Sequence, residues 1–458
     1  GGLIEVGGSW QNSDASVRQA TSSTIESGAV LDTSASVDGD GGEIVVWSDI
    51  TDPQSFTTVA GSLLARGGRE RGDGGAIETS GFELNVGGID LDASAYGQGN
   101  QGLWLLDPFD YTLNDESPNF ETSTISSVLS GGTNVTISTA SPASTVGGGV
   151  INSDNNDTTG GTITVAANIS VTGATSGNLS LITDKDIQIN ALLENKALEG
   201  NLTLSSKTGV SINSGGTIRW DPGTGGEVVI SASESGGLSG SGPLEITKGT
   251  LKLTQSSNTI FSGAISGGGG LNKNGSGELN LSGSNSFSGV TNLNGGKLII
   301  SGNQGFVSNV GIDANTTLEF DTALANRTYA GVLSGSGGLS KISANELQLT
   351  GDSKASFSGT TSVNGGTLFL PGSLTESGDI KLQDGLFRLG NATSLGNTYS
   401  GTISFSGGIL QHGQAKDFSS RYSTADNQQY KINVGGPVSG FRTYATALTS
   451  KGGSLELQ

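Results

Sequence analysis

Three copies of one short segment open the chain: GAVLDTSA at residues 28–35, GSLLARGG at 61–68 and GIDLDASA at 88–95. When the copies are aligned, the equivalent apolar residues are Leu31, Leu64 and Leu91. Each copy is a short apolar run bounded by Gly, Ser and Asp, a pattern typical of a short β-strand between turns.

A second set of segments repeats in the same way: GGEIVVWS at 41–48, GGAIETSG at 74–81 and QGLWLLDP at 101–108. Its equivalent residues are Ile44, Ile77 and Trp104. The interval from the first copy to the second is the same in both sets, and so is the shorter interval from the second copy to the third. The second set also follows the first at one fixed spacing in every copy, as the pairs Leu31/Ile44, Leu64/Ile77 and Leu91/Trp104 show. Constant spacing within a copy and variable spacing between copies indicate a repeated structural unit.

A unit of short strands and turns cannot bury its own apolar side chains, so the copies must stack on one another. We therefore expect an all-β solenoid of parallel strands about 4.8 Å apart. The inward ladders would be Leu31, Leu64 and Leu91 on one wall and Ile44, Ile77 and Trp104 on another. By alternation, Val46, Thr79 and Leu106 should also point inward and Glu78 should face solvent. A set of antiparallel β-sandwiches is the alternative, but it does not explain the constant spacing.

The two sets together form a first series of repeats, and strand patterns continue through the rest of the chain. A second series consists of LSLITDKDIQI (179–189) and LTLSSKTGVSI (202–212), which align without a gap, so that Leu179 is equivalent to Leu202 and Ile187 to Val210. A third series begins with ISGGGGLNKNGSGELNLSGSNSFSG (265–289), which resembles the segment at 333–359. The best helical candidate is NALLENKALEG (190–200), long enough for one or two turns.

Composition restricts the class of protein. The 458 residues include 77 Gly but only 14% charged residues, and the net charge is −20. This charge argues against a nucleic-acid partner and against docking on an anionic membrane, because both need Lys and Arg. The absence of Cys excludes disulfides and thiolate zinc sites. Since the chain does not begin with Met, we expect it to be a portion of a longer protein.

Particular motifs resemble known families. The first two series resemble large secreted exoproteins of the filamentous-haemagglutinin type, which use two-partner secretion, through GGEIVVWSD (41–49), LLARGG (63–68), GDGGAIETSG (72–81) and GLWLLDPFDYTL (102–113). The third series resembles autotransporter-associated β-strand repeats through SGGGGLNKNGSGELNLSGSNSFSG (266–289) and VNGGTLFL (363–370). These resemblances imply a right-handed parallel β-helix that forms an elongated rod. They also imply export through an outer-membrane transporter to the extracellular surface of a Gram-negative-type bacterium, where such proteins usually act in adhesion.

These series divide the chain into three predicted segments. Residues 1–118 are expected to form haemagglutinin-type rungs, residues 119–236 shorter rungs, and residues 237–458 the autotransporter-associated repeats. Together they would make one continuous solenoid.

Few residues are candidates for binding. Arg71, Gly72 and Asp73 form an integrin-type adhesion tripeptide in a predicted loop, where Gly and polar residues are also expected without any such role. Acidic clusters at 38–40, 154–157 and 184–186 could offer oxygen ligands to Ca²⁺, but none matches a known calcium loop, and solvated turns explain them better. We expect neither a metal nor a cofactor.

Catalysis has equally few candidates. The carboxylate pairs Asp90/Asp92, Asp107/Asp110 and Asp184/Asp186 could in principle hydrolyse glycosides. His412 is expected to be a solvent-facing residue at a strand end. Trp10, Trp47, Trp104 and Trp220 could stack on sugars, although packing is their default role.

The sequence therefore favours a structural or adhesive rod from a long surface exoprotein, without catalytic residues. The alternatives are a polysaccharide-degrading β-helix enzyme and a subunit of an extracellular filament or surface layer. Expected partners are neighbouring segments of the same chain, the transporter during export, and a surface receptor, a glycan or like subunits.

Overall fold

A computed structural model describes the chain at residues 1–14, 16–97, 99–114, 122–140, 161–173, 176–197, 199–302, 305–351, 357–372, 378–390, 394–395, 399–412, 417–434 and 445–457. The chain divides into two compact units, Gly1–Ser256 and Ser257–Gln458. In each unit, parallel strands stack into a β-solenoid, which confirms the predicted fold class. We call one turn of the solenoid a rung.

The first unit contains the following strands, in chain order: β1 Leu3–Val6, β2 Ser22–Ile25, β3 Val30–Asp32, β4 Glu43–Trp47, β5 Phe56–Val59, β6 Ser62–Leu64, β7 Ala76–Gly81, β8 Glu83–Asn85, β9 Asp90–Asp92, β10 Leu103–Pro108, β11 Tyr111–Leu113, β12 Asn134–Ser138, β13 Ile163–Val165, β14 Ile169–Val171, β15 Leu179–Ile182, β16 Asp186–Ile189, β17 Leu192–Asn195, β18 Leu202–Ser206, β19 Gly209–Ile212, β20 Thr217–Trp220, β21 Glu227–Ala232, β22 Leu238–Gly240, β23 Leu244–Ile246 and β24 Thr250–Gln255. It also contains a short 3₁₀ turn, Trp10–Asn12, and one helix, α1, at Thr122–Ser130.

The strands of the first unit form stacked walls. One wall runs through β1, β4, β7, β10, β12, β15, β18, β21 and β24. The next walls are β2-β5-β8 and β3-β6-β9 in the early rungs, and β11-β13-β16-β19-β22 and β14-β17-β20-β23 in the later ones. Helix α1 occupies the third-wall position of its rung: it buries Ile125 and Leu129, and its Ser126 Oγ accepts a hydrogen bond from Ser170 N of β14 at 3.0 Å.

The register of the second series is the one that its sequence alignment predicts. Leu179 pairs with Leu202, and Ile187 pairs with Val210, in adjacent parallel strands. All four side chains are fully buried. The predicted helix at 190–200 is wrong, because this stretch contains strand β17, which pairs with β20. The tertiary pairing of a wall outweighs the weak helical propensity of NALLENKALEG.

The first ladder differs from its prediction by one residue. Leu31 pairs with Leu63, and Leu63 pairs with Leu91, whereas Leu64 pairs with Asp32 and Asp92. Leu63 is fully buried, while Leu64 is half-buried and lies on the opposite face of β6. Because Leu63 and Leu64 are adjacent, the sequence does not determine which of them points inward. A shift of one residue exchanges the two faces of a strand.

The second ladder has the expected register. Ile77 pairs with both Ile44 and Trp104, and Thr79 pairs with Val46 and Leu106. All of these side chains are buried. The Trp104 Nε1–H donates a hydrogen bond to Thr79 Oγ1 at 3.0 Å, so the one polar atom of this large core residue is satisfied.

The second unit contains the following strands: β25 Thr259–Phe261, β26 Ile265–Ser266, β27 Gly270–Asn274, β28 Glu278–Leu281, β29 Thr291–Leu293, β30 Lys297–Ile300, β31 Val310–Ile312, β32 Thr317–Asp321, β33 Arg327–Tyr329, β34 Leu333–Gly335, β35 Gly338–Ile342, β36 Glu346–Leu349, β37 Thr361–Val363, β38 Thr367–Leu370, β39 Ile380–Leu382, β40 Leu386–Leu389, β41 Ile403–Phe405, β42 Ile409–His412, β43 Gln429–Asn433 and β44 Ser454–Leu457. Its walls are β27-β29-β31-β34, β25-β28-β30-β32-β35-β37-β39-β41 and β33-β36-β38-β40-β42-β43-β44. A second 3₁₀ turn lies at Ser419–Arg421.

A recurring side-chain contact fixes the register where strands begin. The Oδ1 atom of Asn178 accepts a hydrogen bond from Asn201 N of the next rung at 2.7 Å, and Asn201 Oδ1 accepts one from Glu227 N at 2.7 Å. In the second unit, Asn326 Oδ1 accepts from Glu346 N at 2.8 Å. An Asn or Asp before a strand thus satisfies a backbone donor that no strand partner reaches.

Candidate functional site

The Arg71–Gly72–Asp73 tripeptide lies between strands β6 and β7. The Arg71 guanidinium donates two hydrogen bonds to the Asp38 carboxylate of the preceding rung, at 2.8 and 2.7 Å. Asp73 accepts hydrogen bonds from Asn100 N at 2.7 Å and from Asn100 Nδ2 at 3.0 Å in the following rung. These contacts lower the pKa of Asp38 and Asp73. Both charged side chains of the tripeptide therefore connect rungs.

Other predicted acidic residues make similar contacts. Asp40 Oδ1 accepts a hydrogen bond from Asp73 N at 2.8 Å. Asp184 pairs with Lys207 Nζ at 3.0 Å, and Asp186 accepts a hydrogen bond from Thr208 Oγ1 at 2.5 Å. The cluster at 154–157 lies outside the described residues. Within the described part of the chain, no group of three or more His, Cys, Asp or Glu residues could hold a metal ion.

The pair Asp90/Asp92 lines a groove of about 490 Å³ between β9 and α1. Asp90 accepts a hydrogen bond from Ser62 Oγ at 3.0 Å, and Asp92 accepts one from Ser94 N at 2.9 Å. The Arg66 guanidinium lies 3.9 Å from Asp92. One carboxylate is thus bonded to a neighbouring strand and the other to the adjoining turn.

The pair Asp107/Asp110 is divided between two environments. Asp110 is exposed, and its Oδ1 accepts hydrogen bonds from Gly161 N at 2.6 Å and Thr162 N at 3.0 Å. Asp107 is buried, and burial raises its pKa to about 7. Asp110 therefore binds the backbone of the next rung, whereas the side chain of Asp107 is shielded from solvent.

Glu78 is the strongest departure from the predicted pattern, because it is fully buried rather than solvent-facing. It does point away from the core, as alternation requires, but the N-terminal segment covers this outer face. Gln11 N donates to Glu78 Oε2 at 2.7 Å, and Ser80 Oγ donates to Glu78 Oε1 at 2.8 Å. Gly8 packs so tightly on Trp47 that a Cβ there would lie 2.4 Å from the indole Cδ1.

Glu78 and Asp107 are both buried acids on this outer face. Burial and, to a smaller extent, the charge of Asp107 raise the pKa of Glu78 to about 8. Glu43, half-buried on the same face, also has a raised pKa, first from burial and then from Glu5. Sequence reasoning missed this cluster because nothing in the pattern of residues 7–14 indicates that they fold over the wall.

Two lysines of the second unit point inward. Lys273 Nζ donates to the backbone oxygens of Asn274, Gly275 and Gly277 at 2.9, 3.1 and 2.8 Å, and it lies 3.2 Å from Gly295 O. Lys341 Nζ donates to the backbone oxygens of Ile342, Ser343 and Gly365 at 2.8, 2.7 and 2.9 Å.

Burial lowers the pKa of each of these lysines to about 8, so both carry a charge at pH 7. Each ammonium group joins a turn to the turn of the next rung. The signal was present in the sequence, because in GLNKNG and GLSKIS the lysine lies two residues after a core leucine.

The remaining candidates are mostly part of the core. Trp47, Trp104 and Trp220 are buried, and Trp10 is half-buried. His412 was predicted to face solvent but is only 3% exposed, because it occupies the inward phase of β42 and pairs with Leu389. Within the described residues, no helix is long and apolar enough to cross a membrane.

The passenger-associated transport repeat family matches the second unit at residues 271–300, 339–368 and 381–411. Each stretch folds as two successive two-strand rungs: β27–β30, β35–β38 and β39–β42. Lys273 and Lys341 hold equivalent places in the first two stretches, whereas the third has Leu382 in that ladder position. The chain therefore carries autotransporter-type passenger repeats. No curated protein matches this chain.

Proposed function

We propose that this chain is part of an exported passenger and acts outside a Gram-negative-type cell as a structural and adhesive solenoid. The observation that supports this most is the coincidence of the three passenger-associated transport repeats with whole pairs of rungs. Such stacking buries a continuous core and leaves the outward side chains of each wall to contact a surface.

More specifically, we propose that the chain belongs to an exoprotein of the filamentous-haemagglutinin type, which is exported through an outer-membrane transporter by two-partner secretion. The segments that carry this resemblance, at 41–49, 72–81 and 102–113, contain strands β4, β7 and β10 of one wall. Neighbouring segments of the same longer chain and a surface receptor are the proposed partners.

A non-enzymatic role belongs to the same proposal. Contacts within the solenoid are made by both of the pairs Asp184/Asp186 and Asp90/Asp92, and the side chain of Asp107 is buried. The test is a screen of the purified chain against neutral and acidic polysaccharides, with reducing ends measured over a day. We expect no turnover. Cleavage that is lost in Asp90→Asn or Asp92→Asn would instead identify the groove beside α1 as an active site.

Surface display and adhesion are tested in the cells that carry the gene. Antibodies against the purified chain should label intact cells, and deletion of the gene should remove both labelling and attachment to the surface that these cells colonise. Complementation with the full gene should restore both. Protein found only inside intact cells would refute display, and unchanged attachment of the deletion strain would refute adhesion.

A further inference from the structure

The second wall of the first unit is interrupted between two consecutive rungs. Strand β8 ends the sheet β2-β5-β8, and β11 begins the sheet β11-β13-β16-β19-β22. These two strands occupy the same place in successive rungs, since each follows a first-wall strand, β7 or β10, which pair with each other. A groove of about 480 Å³ lies at this interruption, which is a volume typical of small-molecule sites.

The groove is lined by aromatic and polar side chains that point outward. Phe56 is 44% exposed and pairs in register with Glu83, which is also exposed. Beside this pair, Thr58 and Asn85 are in register and half-buried. Thr112 of β11 lies exposed on the other side of the gap. Aromatic surface, a carboxylate, an amide and hydroxyls thus share one concave site.

Two stacked aromatic rings limit the separation of the two rungs at this groove. Phe82 lines the groove and stacks on Phe109 of the next rung, with ring centroids 4.6 Å apart and planes 19° apart. This separation is close to the ordinary spacing of paired strands, about 4.8 Å, whereas a strand inserted between β8 and β11 needs about twice that distance. The stacked rings therefore oppose insertion of a peptide strand and favour a ligand that lies across the outer side chains.

We propose that this groove binds a neutral oligosaccharide of hexopyranose units. The C–H face of a pyranose ring packs on an aromatic face such as Phe56 or Phe82, and its hydroxyls donate to carboxylate and amide oxygens such as those of Glu83 and Asn85. Glu83 and Asp110 at the groove, and the net charge of −20, oppose a polyanionic glycan. Binding of such a sugar rests on the proposed adhesive role and would give that role a ligand class.

The test is titration calorimetry on the whole purified chain with cellohexaose, maltohexaose and chitohexaose, each to about 10 mM, which detects affinities down to the millimolar range. We expect at least one of the three to bind. Phe56→Ala should weaken that binding about tenfold, and Phe56→Ala with Phe82→Ala should abolish it. Tyr96→Ala is the matched control, because Tyr96 is also an exposed aromatic, at 45%, but does not line the groove.

Far-UV circular dichroism and the melting temperature check that each variant keeps its fold. Phe56 is exposed, so its single variant keeps the test informative even if loss of the Phe82 stack destabilises the groove. Binding of none of the three sugars, binding unchanged in Phe56→Ala, or cleavage of the bound sugar would overturn the proposal. Preferential binding of heparin or of a basic peptide would overturn it as well. Because this assay uses no cells, its failure is distinguishable from a failure of surface display or attachment.

Discussion

Replacing Glu78 with Gln should change how the stability of the first rungs depends on pH. Burial raises the pKa of Glu78 from its usual 4.5 to about 8, and that of Asp107 from 3.8 to about 7. The folded state therefore holds these protons more tightly than the unfolded state does. The resulting stabilisation is fully present below about pH 4 and is lost as pH rises through 7 and 8.

The magnitude follows from the size of the pKa change. Each pKa unit corresponds to about 1.4 kcal/mol, so Glu78 by itself accounts for a loss on the order of 4 kcal/mol between pH 4.5 and pH 8.5. The Gln side chain has nearly the same shape and still accepts a hydrogen bond from Gln11 N, but it cannot ionise. Glu78→Gln should therefore be about 2–4 kcal/mol more stable than the wild type at pH 8.5 and within about 1 kcal/mol of it at pH 5.

Urea unfolding followed by tryptophan fluorescence measures this effect, because Trp47 and Trp104 lie in strands β4 and β10, which pair with β7, the strand of Glu78. Glu83→Gln is the matched control, since Glu83 is exposed on the adjoining strand and its replacement should leave the pH dependence unchanged. If Glu78→Gln keeps the wild-type pH dependence, or is less stable than the wild type at pH 8.5, the assignment of Glu78 as a covered, protonated acid is refuted.

Three further predictions, two of them with a matched control variant, concern particular contacts. Leu63→Asn should destabilise the first unit by about 3 kcal/mol or more because Leu63 is inward, whereas Leu64→Asn should cost less than about 1 kcal/mol; equal urea midpoints for the two variants would contradict the observed register. Lys341→Met removes the donor to three backbone oxygens and should cost about 2–4 kcal/mol, while the exposed Lys381→Met in the third matched stretch should be neutral in the same thermal melt. Asn178→Ala should cost about 1 kcal/mol and speed hydrogen exchange at Asn201 N; unchanged exchange at that amide would refute its role in fixing the strand start.

Repetition made the fold predictable from the sequence. The alignment of Leu179 with Leu202 is a statement about which residues lie side by side once the copies stack, and the structure pairs them. The second ladder of Ile44, Ile77 and Trp104 follows in the same way, because the alignment of the copies places these three residues at equivalent positions.

Where neighbouring residues in a strand are alike, the sequence does not determine which side chain points inward. In SLLAR the two leucines are equally apolar, and only pairing with Leu31 and Leu91 selects Leu63 as the inward one. His412 is similar, since alternation along ILQH allows either face and the pairing with Leu389 decides it. In each case, the neighbouring rung rather than the residue itself sets the orientation.

The stacking of parallel rungs follows from the amino-acid sequence alone, because the repeated apolar side chains are removed from water only when equivalent strands lie side by side. What covers the outside of those rungs depends on tertiary contacts. Burial of Glu78 depends on residues 7–14 folding over the first wall, and the aromatic groove depends on β8 and β11 failing to pair. The first is a contact between segments with no repeat relation and the second is an interruption of the repeat, so the periodicity that predicts the core carries no information about either.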